Sequence, residues 1–402
     1  VKHEVSVTGL GVVAPHGSEP DALFDALLDG RSAIQPIFPD LPKPAAAATV
    51  AFDETRWFTK LQLAGVDRVS QLAVAAADLA LQDAGLARDD TDPERIGVYA
   101  GCGMGGAAAL EAAYRGGMRV PPLTIPAFMP NAPAAHVAMR NGVQGPVLTY
   151  SVACASSSVA IAEAAKAVQR GEVDVAIAGG SEALIVPGVV LAWQAMQTLA
   201  SFQPGEAATA VRPFAADRTG FALGEGAAFV VLESTEHARR RGARSHATLA
   251  GWGLGSDATH LTKPDAAGQA RALRAALREA GLQPRDVGYC NAHGTATRIG
   301  DVVESHALAE VWGADLDRLR VSSTKALHGH MLGAAGAIEA VITVLALQRR
   351  QLPPNAHGSA PDAACNLHLV SPGATAAPEI EAAISNSFAF GGTNSVLLFR
   401  RA

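Results

Sequence analysis

The chain has 402 residues, 49% of them hydrophobic and 17% charged, which excludes a disordered or fibrous protein and allows a large buried core read as two fused half-domains. A net charge of −6, with no basic run beyond Arg239-Arg240-Arg241, argues against a nucleic-acid partner. Aromatics make up only 5% while Ala and Gly abound, so helices and strands are expected to pack by close approach.

The first thirteen residues read as a short alternating strand without the charged head, apolar core and small-residue cleavage site of a signal peptide, so a cytoplasmic location is expected. An amphipathic helix follows over 20–28, a longer one over 70–84, and a strand over 96–100 that meets a Gly-rich turn. Stretches 120–139 and 183–205 approach membrane length, but Pro and Gln interrupt them, and they read as buried loops and interface segments rather than membrane spans. Next come a strand over 146–152, an Ala-rich helix, an apolar strand over 173–178 ending at Gly179-Gly180, and another strand over 227–232.

The second half repeats the rhythm, with strands over 247–252, 288–290 and 320–323 and helices over 268–280, 303–311 and 334–347. Strands alternating with helices predict an α/β fold. Segments 150–169 and 322–348 each run from a short strand through a turn into an Ala-rich helix, which reads as an internal duplication. The join is placed near 250, and no Pro/Ser-rich linker separates the halves, so one continuous interface is expected.

Cys102, Cys154, Cys290 and Cys365 show neither CxxC spacing nor a dense framework; reduced thiols are expected, and no metal site. Cys154 is set apart by its place between a β-run and a helix of small residues, where the helix dipole and unpaired N–H groups favour a thiolate. A strand-to-helix elbow also exposes a nucleophile whose own backbone N–H helps hold an oxyanion. His293 and His330 differ from the other histidines in lying in glycine-containing turns after β-runs, where backbone can approach a ligand. One thiol and two imidazoles point to acyl chemistry.

Glu339 is the only charge in an apolar helical stretch, and a buried carboxylate needs a partner; Lys325 is the expected one, its field helping to set the protonation of the two histidines. The glycine turn within Asn386 to Asn394 enters a strand and lacks lysine, which sets aside a phosphate-binding loop. It suits an oxyanion donor and a hinged gate at Phe390.

Together, Ala153-Cys154-Ala155-Ser156-Ser157, Asp217-Arg218 with Gly220-Phe221 and Gly224-Glu225-Gly226, Asn291 to Thr297 with Asp301, Ser323-Thr324-Lys325 with Gly329-His330, and Asn386 to Asn394 resemble the motifs of one family. These are the elongating β-ketoacyl-acyl-carrier-protein synthases (type I/II) of the thiolase superfamily, and the likeness spans the chain. The resemblance implies a thiolase-like five-layer α/β/α/β/α fold with two duplicated halves: 1–250 with the nucleophilic cysteine, and 251–402 with both histidines and the gating loop. It also implies a type II-like acyltransferase that needs no metal or organic cofactor.

In that reaction Cys154 takes an acyl chain from a carrier-protein thioester, and His293 and His330 hold the malonyl thioester carbonyl. Loss of carbon dioxide yields an enolate that attacks the acyl-cysteine, giving a 3-oxoacyl thioester on acyl carrier protein for fatty-acid or related polyketide or polyene synthesis. Lys325 completes the catalytic set. Backbone N–H groups of Cys154 and Phe390 serve the oxyanion, Phe388 and Gly391 belong to the gate, and Glu339, Asp301, Thr295, Thr297 and Asn394 support the site. Met104 and Phe128 fall where the family bounds its acyl pocket. Lys60, Arg68 and Lys263 are the candidates for carrier-protein docking. Ala389 stands where the family has glycine, and Thr219 where it commonly has aspartate.

The implied partners are acyl carrier protein bearing acyl and malonyl thioesters, and a second copy in a homodimer or a related chain in a ketosynthase/chain-length-factor heterodimer. A coenzyme A-dependent thiolase is a further enzyme class, and it would need a second cysteine in the C-terminal glycine loop, where this sequence has none.

Overall fold

The computed structural model describes residues 3–87, 91–358 and 360–402; Val1 and Lys2, at the head of the expected first strand, lie outside the described residues. In chain order the strands are β1 (Val5–Val13), β2 (Ile34–Ile37), β3 (Ala45–Ala48), β4 (Ile96–Gly101), β5 (Val147–Tyr150), β6 (Val175–Glu182) and β7 (Leu223–Gly224). There follow β8 (Gly226–Ser234), β9 (Ala247–Ser256), β10 (Tyr289–Asn291), β11 (Arg320–Ser322), β12 (His368–Leu369), β13 (Ala382–Phe388) and β14 (Thr393–Arg401). The helices of the first half are α1 (Pro20–Leu28), α2 (Arg68–Asp83), α3 (Ala107–Arg115), α4 (Thr124–Phe128), α5 (Ala132–Asn141), α6 (Ser156–Gln169), α7 (Pro187–Ala195) and α8 (Thr235–Arg240). Those of the second are α9 (Ala266–Ala280), α10 (Gly300–Trp312), α11 (Lys325–His328) and α12 (Ala335–Arg349).

The duplication is visible in strand order. The first half runs β5-β4-β6-β8-β1 and the second β11-β10-β13-β14-β9, with β12 beyond β11. Directions match as well: β4 is parallel to β5 and β6, and β10 to β11 and β13, while the next two pairings in each half are antiparallel. The halves join where β1 pairs with β9 through Ser6–Thr248 and Val7–Ala247. The division expected at 250/251 falls inside β9, whose ladder with β14 assigns the whole strand to the second half.

Five layers follow. Helices α2 and α5 cover one outer face and α9 and α10 the other, while α6 and α12 pack on each other between the sheet halves. Three apolar clusters fill the spaces, one centred on α6 and α12 and one beneath each outer helical layer. Small residues set the spacing: a Cβ on Gly336 of α12 would lie 2.6 Å from Ser158 Cβ on α6. The one membrane-length apolar helical stretch among the described residues, Leu332–Arg349, is 89% buried as this central helix.

Two boundaries differ from expectation for physical reasons. Helix α2 begins at Arg68 because the Asp67 carboxylate caps it, accepting from Val69 N. Gly179-Gly180 does not end the strand before it; both lie inside β6, where a Cβ would meet Ala228 O at 2.1 Å and Gly101 O at 2.4 Å.

Candidate active site

After β5 the chain passes through a single tight turn, Ala153–Ala155, into α6, and Ala153 takes a φ of 48°. Ser156 Oγ holds the turn, accepting from Val152 N at 2.9 Å and donating to Ala153 O at 2.6 Å. The second half repeats this elbow before α12, with Leu332 at φ 39°. His330, just ahead of that elbow, is pinned to β7 by donating its N–H to Ala222 O and accepting from Gly224 N. The duplicated turns thereby bring His330 Nε2 to 3.1 Å from Cys154 Sγ, although 176 residues separate them. His293 follows β10, and its ring lies edge-on to His330 with centroids 5.6 Å apart.

Burial governs the protonation of all three. The Cys154 thiol is pushed up to about 12 by desolvation, against the pull of the Lys325 charge and its own backbone N–H. The expected thiolate is therefore corrected to a thiol at rest, because the loss of water outweighs the helix end. Desolvation and Lys325 hold both His293 and His330 well below the usual imidazole value, so they are neutral. Lys325 is fully buried and ion-paired to Glu339. Burial pushes Glu339 up to about 7 despite that partner.

The sulfur and both imidazoles line a cavity of about 360 Å³ that opens among the exposed residues Leu261, Lys263, Arg298 and Ile299. Phe388 meets His293 edge-on at 6.1 Å, and Phe390 lines the cavity and stacks on Trp193. Gly391 and Gly392 have φ of 89° and 76°, whereas Ala389 is not among the positive-φ residues, so this conformation tolerates the alanine. Gly391 donates to Leu261 O at 2.6 Å, and Asn394 Nδ2 donates to Asp257 Oδ1 at 2.6 Å, tying the glycine turn to the segment after β9.

Thr295 and Thr297 line the cavity with hydroxyls 3.1 Å apart. Asp301 stands behind them, accepting from Phe214 N beside Arg218. Thr219 also lines the cavity, and its hydroxyl accepts from Ser201 N. Met104 and Phe128 do not line the cavity formed by the single chain. Met104 is 47% exposed, and the turn after it abuts α4, Gly106 N donating to Phe128 O. Of the docking candidates, Lys60 and Lys263 are exposed, and Lys263 stands at the cavity mouth. Arg68 is corrected to a structural clamp: its Nε and Nη2 donate to Glu225, and Nη2 also to Val50 O.

Two buried carboxylates escaped the sequence reading. Glu182 accepts from Gly103 N, Met104 N and Gly333 N, linking the end of β4 to the elbow after His330, and burial pushes it up to about 7. Glu304 accepts from His293 N, Gly294 N and Asn386 Nδ2. The available signal was weak: Glu304 lies on α10 three residues after Asp301, and Glu182 is the one charge in its strand.

Cys154, His293 and His330 bring their donor atoms within 4.8 Å, a ligand set of the kind zinc accepts. Lys325 opposes a further cation there, and Nδ1 of neither histidine has the second partner that metal-bound imidazoles use. A neutral imidazole in contact with a thiol suits proton transfer.

Residues 2–238 match the family described as beta-ketoacyl synthase, N-terminal domain, and residues 246–359 its C-terminal domain. "Nodulation protein E" of Rhizobium sp. (strain N33) is 40% identical over 99% of both chains. "3-oxoacyl-[acyl-carrier-protein] synthase 2" of Staphylococcus aureus (strain N315) is 37% identical over 99% of this chain and 98% of its own. Among solved structures, a type II PKS acyl-carrier protein in complex with its ketosynthase bound to the hexaketide superposes with a TM-score of 0.92 at 30% identity, covering 100% of both chains. The ishigamide ketosynthase/chain length factor matches with a TM-score of 0.92 at 32% identity over 100% of both chains. With both family domains in order and relatives matched along almost their whole length, the chain belongs to the beta-ketoacyl synthase family.

Proposed function

We propose that this chain condenses an acyl group held on Cys154 with a malonyl group, both delivered as thioesters of acyl carrier protein. The observation that carries this reading is the contact of Cys154 Sγ with a neutral His330 Nε2 at 3.1 Å, with His293 in the same cavity. As the sulfur attacks the acyl thioester, its proton passes to His330, and the oxyanion is met by backbone N–H groups of Cys154 and Phe390. The departing carrier thiolate then takes the proton.

Malonyl thioester enters next, its carbonyl oxygen accepting from an N–H of each imidazole, the His330 proton having moved from Nδ1 to Nε2. The carbon–carboxylate bond breaks, carbon dioxide leaves, and the electron pair forms an enolate whose oxygen those donors stabilise. The enolate carbon attacks the acyl thioester, and Cys154 departs as a thiolate that takes a proton from water to return to the resting thiol. Desolvation, aided by the Lys325 charge, keeps both imidazoles neutral, so the donors carry no charge that would hold the malonyl carboxylate in place.

A dimer completes this reading. Tyr114, Met118, Leu123 and Ile125 are exposed beside α4, and strand β5 presents Val147 and Leu148 at an open edge. A second copy, or a related chain as in the ishigamide complex, would cover this face and bring Met104 and Phe128 to the acyl pocket. The cytoplasm, with its carrier proteins, is the proposed location.

The test offers purified protein a ladder of acyl carrier thioesters with malonyl carrier protein and reads products by mass. A 3-oxoacyl product two carbons longer and an adduct on Cys154 are expected. Absence of that adduct with every acyl length sinks the reading.

A further inference from the structure

In the cavity wall, Gln269 is 1% exposed, and among the described residues its Oε1 has no hydrogen-bond partner. A buried carboxamide oxygen without a partner carries an uncompensated desolvation penalty. The backbone next to it is closely packed. At Gly268, in the first turn of α9, a Cβ would lie 1.9 Å from Asp257 Oδ1, and the Asp257 carboxylate already accepts from Asn394 Nδ2 and Asp265 N.

The same cavity is lined by the Thr295 and Thr297 hydroxyls, which share one hydrogen bond and, with Gly300 N donating to Thr297, keep further donor and acceptor capacity. The required ligand must therefore donate as well as accept. A keto or hydrocarbon acyl chain supplies no N–H, and an anion would be met by Lys263 and Arg298 at the mouth. A secondary amide supplies an N–H on one edge of its planar trans unit and a carbonyl acceptor on the other.

We propose that Gln269 is a specificity residue that binds a secondary amide in the pantetheine arm carrying the thioester, Oε1 accepting from the amide N–H. This deepens the condensing-enzyme reading and rests on it. Because α9, Asp257 and the glycine turn are locked together at Gly268, engagement of the arm by Gln269 is felt directly beside the gate.

The test measures Cys154 acylation by intact mass at subsaturating hexanoyl-pantetheine and at two analogues, each with one arm amide replaced by an ester that keeps the carbonyl and lacks the N–H. In the unaltered protein one replacement is expected to slow acylation about tenfold, the scale of one lost buried hydrogen bond. In Gln269→Met, which keeps the volume, and in Gln269→Asn, which withdraws the carboxamide by one methylene, that amide-to-ester ratio is expected to fall towards one. An unchanged ratio in both variants, or no ester effect in the unaltered protein, overturns the proposal. Failure of the unaltered protein to be acylated by these thioesters and by every acyl length of the carrier ladder overturns the condensing-enzyme reading instead.

Discussion

Cys154 rests as a thiol because desolvation outweighs both the Lys325 charge and the helix end, and its reactivity then depends on the imidazole 3.1 Å away. Thiolate content should climb about tenfold per pH unit below a value near 12. Alkylation of Cys154 by iodoacetamide should therefore keep rising from pH 7 to 10; a plateau below pH 8 would mean that the thiolate is stabilised at rest. His330→Ala should slow release of carbon dioxide from malonyl carrier protein by 10²-fold or more, roughly the worth of a lost oxyanion donor, and unchanged release in a radiolabel assay counts against its role. The Lys325–Glu339 pair separates stability from function. Lys325→Met alone leaves a buried carboxylate unpaired and should cost about 3–5 kcal/mol in urea unfolding, whereas Lys325→Met with Glu339→Leu should recover most of that and remain inactive.

At the scale of elements, the site exists because two copies of one strand–elbow–helix unit face each other across α6 and α12. Their separation is set by glycine, so Gly336→Val should force the helices apart and cost about 1–3 kcal/mol, read as a lower Tm together with lost activity. Glu182 adds a pH-dependent link between β4 and the His330 elbow. Its pKa rises from 4.5 to about 7 on folding, so it favours the folded state below about pH 4.5, and that contribution is lost as pH climbs through 7. Glu182→Gln removes the decline: relative to the unaltered protein it should gain up to about 3 kcal/mol in chemical denaturation between pH 4.5 and 8. The same variant keeps one acceptor oxygen for three amides, so its condensation rate should fall.

For the whole molecule, the exposed apolar surface around α4 and the open edge of β5 is the feature a lone subunit leaves unburied. Leu148→Lys places a charge on that edge and should shift sedimentation from dimer to monomer, with acyl-chain selectivity changing as Met104 and Phe128 lose their cover. A monomeric unaltered protein at micromolar concentration would refute the dimer. Native mass spectrometry after co-expression with a related chain distinguishes a pair of unlike subunits from a homodimer.

Local pattern was enough for the alternation of strands and helices, the repeat of an elbow before an Ala-rich helix, and the pairing of Glu339 with Lys325, because each rests on periodicity or on one charge in an apolar run. The likeness of five ordered motifs supplied the reaction. Tertiary structure decided what depends on water exclusion and on partners far apart in the chain: the neutral state of Cys154, His293 and His330, the roles of Glu182 and Glu304, and the carboxamide oxygen of Gln269 left without a partner among the described residues. It also turned Arg68 from a docking candidate into a clamp on Glu225, since only the packed chain shows which charges already have an opposite. Desolvation and long-range contact are properties of the assembled interior, and no window of sequence contains them.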